Sequence, residues 1–223
     1  MLLTKMYSTE KDIVVLGINK IINNYKGFSI IDYFERVFLE HKNFLIQEFN
    51  NNLIFISTKS FQQNHRILGK TIRKYINDLI ELEGIDCILC IGGESYIYGM
   101  INKKIVKIYH YTNSVYIYRD CEYNNKFYRK EIENNYIEYN SKDLKIISEI
   151  KICLINLSSL TKNLFVILNK NNDDKIIIIS CHHEDFWKKI KNLTNYIIKK
   201  RKYFVCERLR YFITVNIFVK KIN

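Results

Sequence analysis

The chain has 223 residues, of which 48% are hydrophobic and 14% aromatic, and its formal net charge is +12 at pH 7. A chain of this length can bury one substantial core, and its apolar content excludes an intrinsically disordered polar polypeptide. The excess of Lys and Arg favours a polyanionic partner. RNA or DNA is the first expectation, and an anionic membrane surface is the second.

Six cysteines are scattered along the chain, at positions 87, 90, 121, 153, 181 and 206. Because they show no disulfide framework, we expect an intracellular protein in a reducing compartment, either the cytoplasm or the nucleus. Cys87 and Cys90 have the spacing of zinc ligands, but they lie in an apolar run with no second ligand pair, so no metal is predicted. No apolar run approaches the ~20 residues that span a bilayer, so no membrane span is predicted, and RNA rather than a membrane is the expected partner.

The first part of the sequence alternates short apolar runs with polar breaks, which indicates β-strands. The predicted strands cover residues 12–17, 28–31, 44–47 and 53–57. Asparagines at residues 50–52 predict a hairpin turn between the last two strands. We therefore expect a small β-rich lobe over residues 1–62, followed by a second domain over residues 63–223.

Residues 64–83 change to a helical period and predict an amphipathic helix. Its basic side includes Lys70, Arg73 and Lys74. For any one of these charges an ordinary solvated face is the first interpretation, and a contact with nucleic acid is the second.

From residue 85 onward strand-like and helix-like segments alternate, which is typical of an α/β fold with a largely parallel sheet. Strands are predicted at residues 86–91, 104–109, 136–139, 149–155 and 176–180, and helices at residues 160–168 and 184–193. Two long β-rich runs at residues 196–204 and 211–219 predict an antiparallel strand pair at the edge of the sheet.

The run at residues 176–180 is continuously apolar or small, which predicts a strand buried on both faces. Cys181 follows at its carboxyl end, where ligands bind in open α/β sheets. A thiol between a strand and a helix can be a reactive nucleophile, and it can also be a buried structural cysteine.

Two motifs, in this order and around this strand pattern, resemble the RNA uracil-5-methyltransferases, which have the class I S-adenosylmethionine-dependent methyltransferase fold. Residues 55–64, FISTKSFQQN, are similar to the family's F-x-I-S-P…F-F-Q-V-N segment. Residues 176–182, IIIISCH, are similar to its I-V-Y-V-S-C-N-P segment. The resemblance covers residues 40–219 and implies a Rossmann-like sheet with an antiparallel terminal strand pair, preceded by the small β-rich lobe.

The resemblance also assigns functions to single positions. Cys181 falls at the nucleophile that attacks uracil carbon 6, Gln62 at a cofactor position and Asn64 at an RNA position. Gly92 and Gly93 fall in the loop that binds S-adenosylmethionine. Asn156 falls at a separate cofactor position after the fourth strand, where it begins Asn-Leu-Ser-Ser in place of the family's D-P-P-R. The implied partner is tRNA or rRNA.

Several positions depart from the family's pattern. Ile213 occupies the position of the Glu that removes the carbon 5 proton, and Ile cannot take a proton. Glu94 and Tyr96 replace glycines that let the backbone approach the cofactor. Near His110 or Tyr111 the family has an acidic residue that binds the ribose hydroxyls, and none stands here.

These departures favour an RNA-binding protein derived from a uracil-5-methyltransferase, with catalysis impaired or lost and no cofactor needed. Its phosphate contacts are expected from a basic cluster. The cluster consists of Lys199, Lys200, Arg201 and Lys202.

Two alternatives stay open. One is an active, diverged methyltransferase that binds S-adenosylmethionine, uses Cys181 and recruits another base. The candidates for that base are His182, His183 and Glu184. The other is a structural interaction module without a nucleic-acid role, whose charge is a bias of composition.

Overall fold

The computed structural model describes residues 5–8, 13–16, 44–49, 52–57, 60, 66–137, 150–157, 161–170, 173–181, 183–206 and 211–221. The first strands are β1 (Lys5–Ser8), β2 (Ile13–Leu16), β3 (Phe44–Phe49) and β4 (Asn52–Ser57). The helices are α1 (Arg66–Glu83), α2 (Ser95–Ile101), α3 (Val115–Tyr128), α4 (Lys162–Lys170) and α5 (His183–Ile190). The later strands are β5 (Cys87–Ile91), β6 (Lys107–Thr112), β7 (Glu131–Tyr136), β8 (Ile152–Asn156), β9 (Lys175–Ser180), β10 (Tyr196–Cys206) and β11 (Tyr211–Lys220).

A seven-stranded sheet in the order β10-β11-β9-β8-β5-β6-β7 forms the centre of the protein. Neighbouring strands from β7 to β9 pair in parallel, whereas β11 is antiparallel to both β9 and β10. The α/β fold and the antiparallel terminal pair are therefore confirmed. The apolar run at residues 176–180 lies in β9, inside the sheet and buried, as its composition predicts.

Helices cover both faces of this sheet, because its strands are apolar on both sides. We call the side that carries Ile88 and Cys90 of β5 the first face; α1, α2 and α3 contribute buried side chains to its core. The second face carries Leu89 and Ile91, and its core includes buried residues of α4 and α5.

The β-rich part before the sheet is described only in part. β3 and β4 pair antiparallel from Phe44↔Ser57 to Phe49↔Asn52, which confirms the predicted hairpin. β2 falls within the predicted strand at residues 12–17 and pairs with β1. The predicted strand at residues 28–31 lies outside the described residues, and the boundary between residues 62 and 63 stays a prediction.

Three elements differ from the sequence interpretation. No helix was expected between residues 92 and 130, where α2 and α3 lie. Every residue of α2 is buried, so this helix has no amphipathic period that would reveal it. The strand placed at residues 136–139 is wrong in position, because β7 ends at Tyr136 and residue 137 lies beyond it; residues 138–139 lie outside the described residues. β7 has the polar sequence EIENNY, which a sheet edge tolerates.

Strand β4 is fixed to α3 by buried side-chain hydrogen bonds. Asn124 Oδ1 accepts from Phe55 N at 2.9 Å, and its Nδ2 donates to Phe55 O at 2.6 Å. Asp120 Oδ2 accepts from Ser57 N at 3.0 Å and from Ser60 Oγ. These bonds anchor the chain immediately before residues 61–65, where the motif containing Gln62 and Asn64 continues.

The burial of Asp120 predicts that the stability of the protein depends on pH. Burial raises the pKa of Asp120 from 3.8 to about 7, and the hydrogen bonds from Ser60 and Ser57 offset only part of this rise. Such a carboxyl group stabilises the fold fully below its unfolded pKa, and this contribution is lost as the pH rises through the folded pKa. Asp120→Asn does not titrate. The unfolding free energy of the variant minus that of the wild type should therefore increase by on the order of 3 kcal/mol between pH 4 and 8.

Urea unfolding of both proteins across this range measures that difference. Other titrating groups, including buried His110, are present in both proteins and cancel. A difference that stays constant with pH would contradict the prediction.

Candidate functional site

Four of the predicted site residues lie along one edge of the sheet. Strands β5, β6, β8 and β9 are parallel, so their carboxyl ends meet at this edge, which we call the carboxyl edge. Gly92 and Gly93 follow β5, Asn156 ends β8, and Cys181 follows β9. β5 lies between β6 and β8, so the chain changes direction here, and open α/β sheets bind ligands at such a switch point.

The two glycines form a tight turn from β5 into α2. Their φ angles are 69° and 49°, a left-handed conformation that favours glycine. Gly92 N donates to Tyr111 O at 2.8 Å, and Gly92 O accepts from Ser95 N at 3.1 Å. A Cβ on Gly93 would lie 2.6 Å from the backbone oxygen of Asn156, so the turn packs directly against the end of β8.

Gly93→Ala should therefore lower the unfolding free energy by more than the backbone strain at a positive φ alone would. Gly84 is a matched control, because its φ is 63° but a Cβ there would meet nothing within 4 Å. We expect Gly84→Ala to lower the unfolding free energy by roughly 1–2 kcal/mol, and Gly93→Ala to lower it by about 2 kcal/mol more because of the added clash. Denaturant unfolding of the two variants tests this, and equal losses would show that the contact with Asn156 does not constrain the turn.

Asn156 adds a hydrogen-bond donor to the same crevice. The residue is 4% exposed, and its Nδ2 has no partner among the described residues. An unpaired buried amide costs free energy, so this donor beside the Gly93 turn fits a ligand oxygen. The end of strand β6 contributes no acidic side chain to the crevice, because residues 110–114 include no Asp or Glu. The last residue of β6 is Thr112, whose Oγ1 accepts a hydrogen bond from Ser114 N. The described part of the crevice therefore has a turn and a donor for a nucleotide-like cofactor, and the end of β6 has no carboxylate for its ribose.

Glu94 and Tyr96, which stand in glycine positions of the resembled family, are directed into the protein. Glu94 is 2% exposed, and both its carboxylate oxygens lie 3.2 Å from Arg73 Nη1. Burial raises the pKa of Glu94, and the Arg73 charge opposes this rise. The Tyr96 ring lies 5.3 Å from the ring of His110. Neither side chain fills the crevice, and the Glu94 charge is balanced inside the protein.

The same pair corrects the interpretation of α1. A solvated face is the wrong description for Arg73, which is 9% exposed and bonded to Glu94. Lys70 and Lys74 are exposed as that interpretation expects.

Cys181 is half-buried and packs against the core of the first face. β9 and β11 pair Ser180 with Thr214, so continuing this register places Ile213 opposite Cys181. β10 and β11 pair Phe204 with Ile213, which completes a row Cys181–Ile213–Phe204 across three strands. Ile213 is fully buried. The sheet thus brings the predicted nucleophile next to the predicted base position, and that position carries only hydrocarbon.

Other candidates are placed less fully. Gln62, Asn64 and His182 lie outside the described residues. His183 and Glu184 begin α5, immediately after the strand end that carries Cys181.

The basic cluster occupies the edge strand β10 but does not form one surface. A β-bulge falls between Ile198 and Lys200, at Lys199. Lys200 and Lys202 lie on the first face, with Nζ atoms 5.7 and 4.1 Å from the Tyr75 ring centroid.

Arg201 lies on the second face. Its Cζ is 3.7 Å from the Trp187 ring centroid, and its Nε donates to Asn216 Oδ1 at 2.7 Å. Two aromatic partners of the cluster, Tyr75 and Trp187, lie at least 12 residues from it in sequence, so the sequence pattern did not reveal them.

Within the described ranges, no group of three or more His, Cys, Asp or Glu side chains could hold a metal ion. Cys90 is buried, and burial raises the pKa of its thiol, which disfavours the thiolate that zinc needs. No helix in the described part of the chain is long and apolar enough to cross a membrane.

No protein-family model and no curated protein sequence matches this chain. Solved protein structures, in contrast, do match this chain. The Pyrococcus abyssi tRNA (uracil-54, C5)-methyltransferase in complex with S-adenosyl-L-homocysteine superposes with a TM-score of 0.62 at 15% identity, over 79% of this chain and 44% of that one. The M. jannaschii tRNA m1G37 methyltransferase superposes with a TM-score of 0.60 at 16% identity, over 81% of this chain and 58% of that one. M. jannaschii TYW2 in complex with AdoMet superposes with a TM-score of 0.57 at 10% identity, over 81% of this chain and 87% of that one.

These likenesses identify the fold as that of the class I S-adenosylmethionine-dependent methyltransferases. The chain spans about half the length of the first two neighbours, 44% and 58%. At such low identity the likeness shows the fold alone.

Proposed function

We propose that this chain is an RNA-binding protein derived from an RNA uracil-5-methyltransferase, with its catalysis impaired or lost. One observation carries the proposal: buried Ile213 stands opposite Cys181. Methylation through a cysteine adduct at carbon 6 ends only when a base removes the carbon 5 proton and the thiolate leaves. A hydrocarbon side chain at this place cannot perform that step.

RNA as the partner is supported by charge and by the fold. The net charge is +12, and Lys200 and Lys202 are exposed on the face that carries Cys181. Two of the structural neighbours are named as tRNA methyltransferases. The expected target is a tRNA or rRNA in the cytoplasm or nucleus.

A second candidate, an active and diverged methyltransferase, is favoured by the crevice at the carboxyl edge. Gly92, Gly93 and the unpaired Nδ2 of Asn156 would hold S-adenosylmethionine there. The cofactor would supply the methyl group. Cys181 would attack the uracil, and a base from outside the Cys181–Ile213–Phe204 row would have to take the proton.

RNA binding should be strongly salt-dependent, because Lys and Arg side chains that contact phosphates release counterions. With four to five phosphate contacts, affinity should fall by roughly 100- to 1,000-fold between about 50 and 200 mM salt. Fluorescence anisotropy with a labelled tRNA transcript over a potassium chloride series measures this. The same titration with the cluster at residues 199–202 changed to Ser should give weaker binding and a smaller slope. Affinity that does not change with salt would exclude phosphate-driven binding.

A further inference from the structure

We propose that RNA lies along the first face of the sheet, on a basic strip formed by Lys70 and Lys74 of α1 together with Lys200 and Lys202 of β10. This inference rests on the proposed function and specifies which surface performs it. The sequence groups Lys199 to Lys202 as one cluster, whereas the structure divides that cluster and adds two lysines from a distant segment.

Tyr75 joins the two halves of the strip. Its ring packs against Phe204 at 5.6 Å, which fixes α1 beside β10. Lys202 Nζ lies 4.1 Å from the same ring centroid and 5.3 Å from that of Phe204. Contacts between an ammonium group and an aromatic ring restrain the lysine without neutralising it. Lys200 and Lys202 therefore keep their charge available on an ordered surface.

The charges on α1 are arranged along its axis. Lys70 and Lys74 are exposed in its first half, and the exposed acids Asp78, Glu81 and Glu83 are all in its second half. α1 leads into the start of β5, so its first half lies toward the carboxyl edge. The contact of Glu83 with Lys175, at the start of β9, places the acidic half at the opposite edge. A polyanion is thus attracted to the end of α1 that lies toward Cys181.

The strip and Cys181 share a face of the sheet. Lys202 pairs with Val215 of the first-face core, one row away from Cys181–Ile213–Phe204. Two strand spacings separate β9 from β10, roughly 10 Å. RNA held by these lysines would therefore pass close to the half-buried thiol. In the described part of the chain, no salt bridge involves any of the four lysines.

Arg201 belongs to a different surface. Its guanidinium stacks on Trp187 and bonds to Asn216, both on the second face, so its donors already serve the protein's own structure. The second face also exposes lysines, among them Lys188 of α5 and Lys191 immediately after it. They provide a control with the same charge.

Two double variants test the strip in the whole 223-residue chain. Lys74→Ser with Lys202→Ser removes two charges from the first face, and Lys188→Ser with Lys191→Ser removes two from the second. With a labelled tRNA transcript at about 0.15 M salt, the first should weaken binding by roughly 10- to 30-fold and lower the salt slope by about 2. The second should stay within about twofold of wild type. Thermal melting confirms that both variants fold.

The possible outcomes distinguish a failure of the proposed strip from a failure of the proposed RNA-binding function. Equal losses in the two variants, or a larger loss in the second, would overturn the strip while leaving RNA binding in place. Wild-type protein that binds no RNA would overturn the proposed function, and the strip with it.

Discussion

Wild-type protein given uridine-containing RNA and saturating S-adenosylmethionine is expected to show no multiple turnover, and Ile213→Glu is expected to increase turnover. A positioned general base typically contributes roughly 10²- to 10⁴-fold to a rate, and the wild type has none in the row of Cys181. Glu at residue 213 would place a carboxylate opposite the thiol. Because Ile213 is fully buried, burial would raise the pKa of this carboxyl group toward the range in which a base operates.

Transfer of labelled methyl groups to RNA measures this effect. Ile213→Gln is the control, since it matches Glu in size and polarity but accepts no proton. Adding Cys181→Ala to the Glu variant should abolish the gain while leaving RNA affinity nearly unchanged. If Glu and Gln behave alike, the assignment of residue 213 as the base position is wrong.

A denaturing gel tests the half-reaction before release. If the Cys181 thiol still attacks uracil, the methylated adduct should persist in the wild type as a covalent protein–RNA species, because Ile213 cannot remove the carbon 5 proton. Cys181→Ala should remove that band. No band, and no turnover in either the wild type or Ile213→Glu, would show that the thiol is a relic.

Binding of S-adenosylmethionine is expected to be weak. The turn at Gly92 and Gly93 and the free amide of Asn156 favour binding, but β6 ends at Thr112 without a carboxylate for the ribose hydroxyls. Hydrogen bonds to a charged group contribute about 1.5–3 kcal/mol, so the missing acid should weaken binding by roughly 10- to 100-fold. Thr112→Glu should recover most of this loss.

Calorimetric titration of the wild type and both variants at residue 112 checks the expectation, with Thr112→Gln as the uncharged control. Low-micromolar binding by the wild type, unchanged by Thr112→Glu, would refute it and would favour the active methyltransferase.

The sequence was sufficient for features that depend on local composition. Runs such as residues 176–180 are apolar on both faces, so they predict buried parallel strands without further information. It was insufficient where a residue's environment is set by distant partners. Arg73 looks like a surface charge on a helix, but its partner Glu94 is 21 residues away in a turn. Asp120 and Asn124 bond to residues 60 to 69 positions earlier, a contact that no local pattern shows.

The candidate site likewise has features that local sequence predicts and features that it does not. Gly92, Gly93, Asn156 and Cys181 each follow or end a strand that the sequence predicts, and the parallel pairing of these strands brings the four residues to one edge of the sheet. The basic cluster was different: successive residues of β10 point to opposite faces, which separates Lys200 and Lys202 from Arg201, and the bulge at Lys199 sets which face each residue takes. A sequence pattern fixes the period of a strand but not the place where that period shifts.

Nucleoside analysis of bound RNA tests the central claim most directly. The protein would be incubated with excess unmodified tRNA transcript and saturating S-adenosylmethionine, and the recovered RNA would be digested and examined by mass spectrometry. We predict salt-sensitive RNA retention with less than one 5-methyluridine formed per protein molecule. Accumulation of many 5-methyluridines per protein molecule would show that the chain is an active methyltransferase and contradict the account.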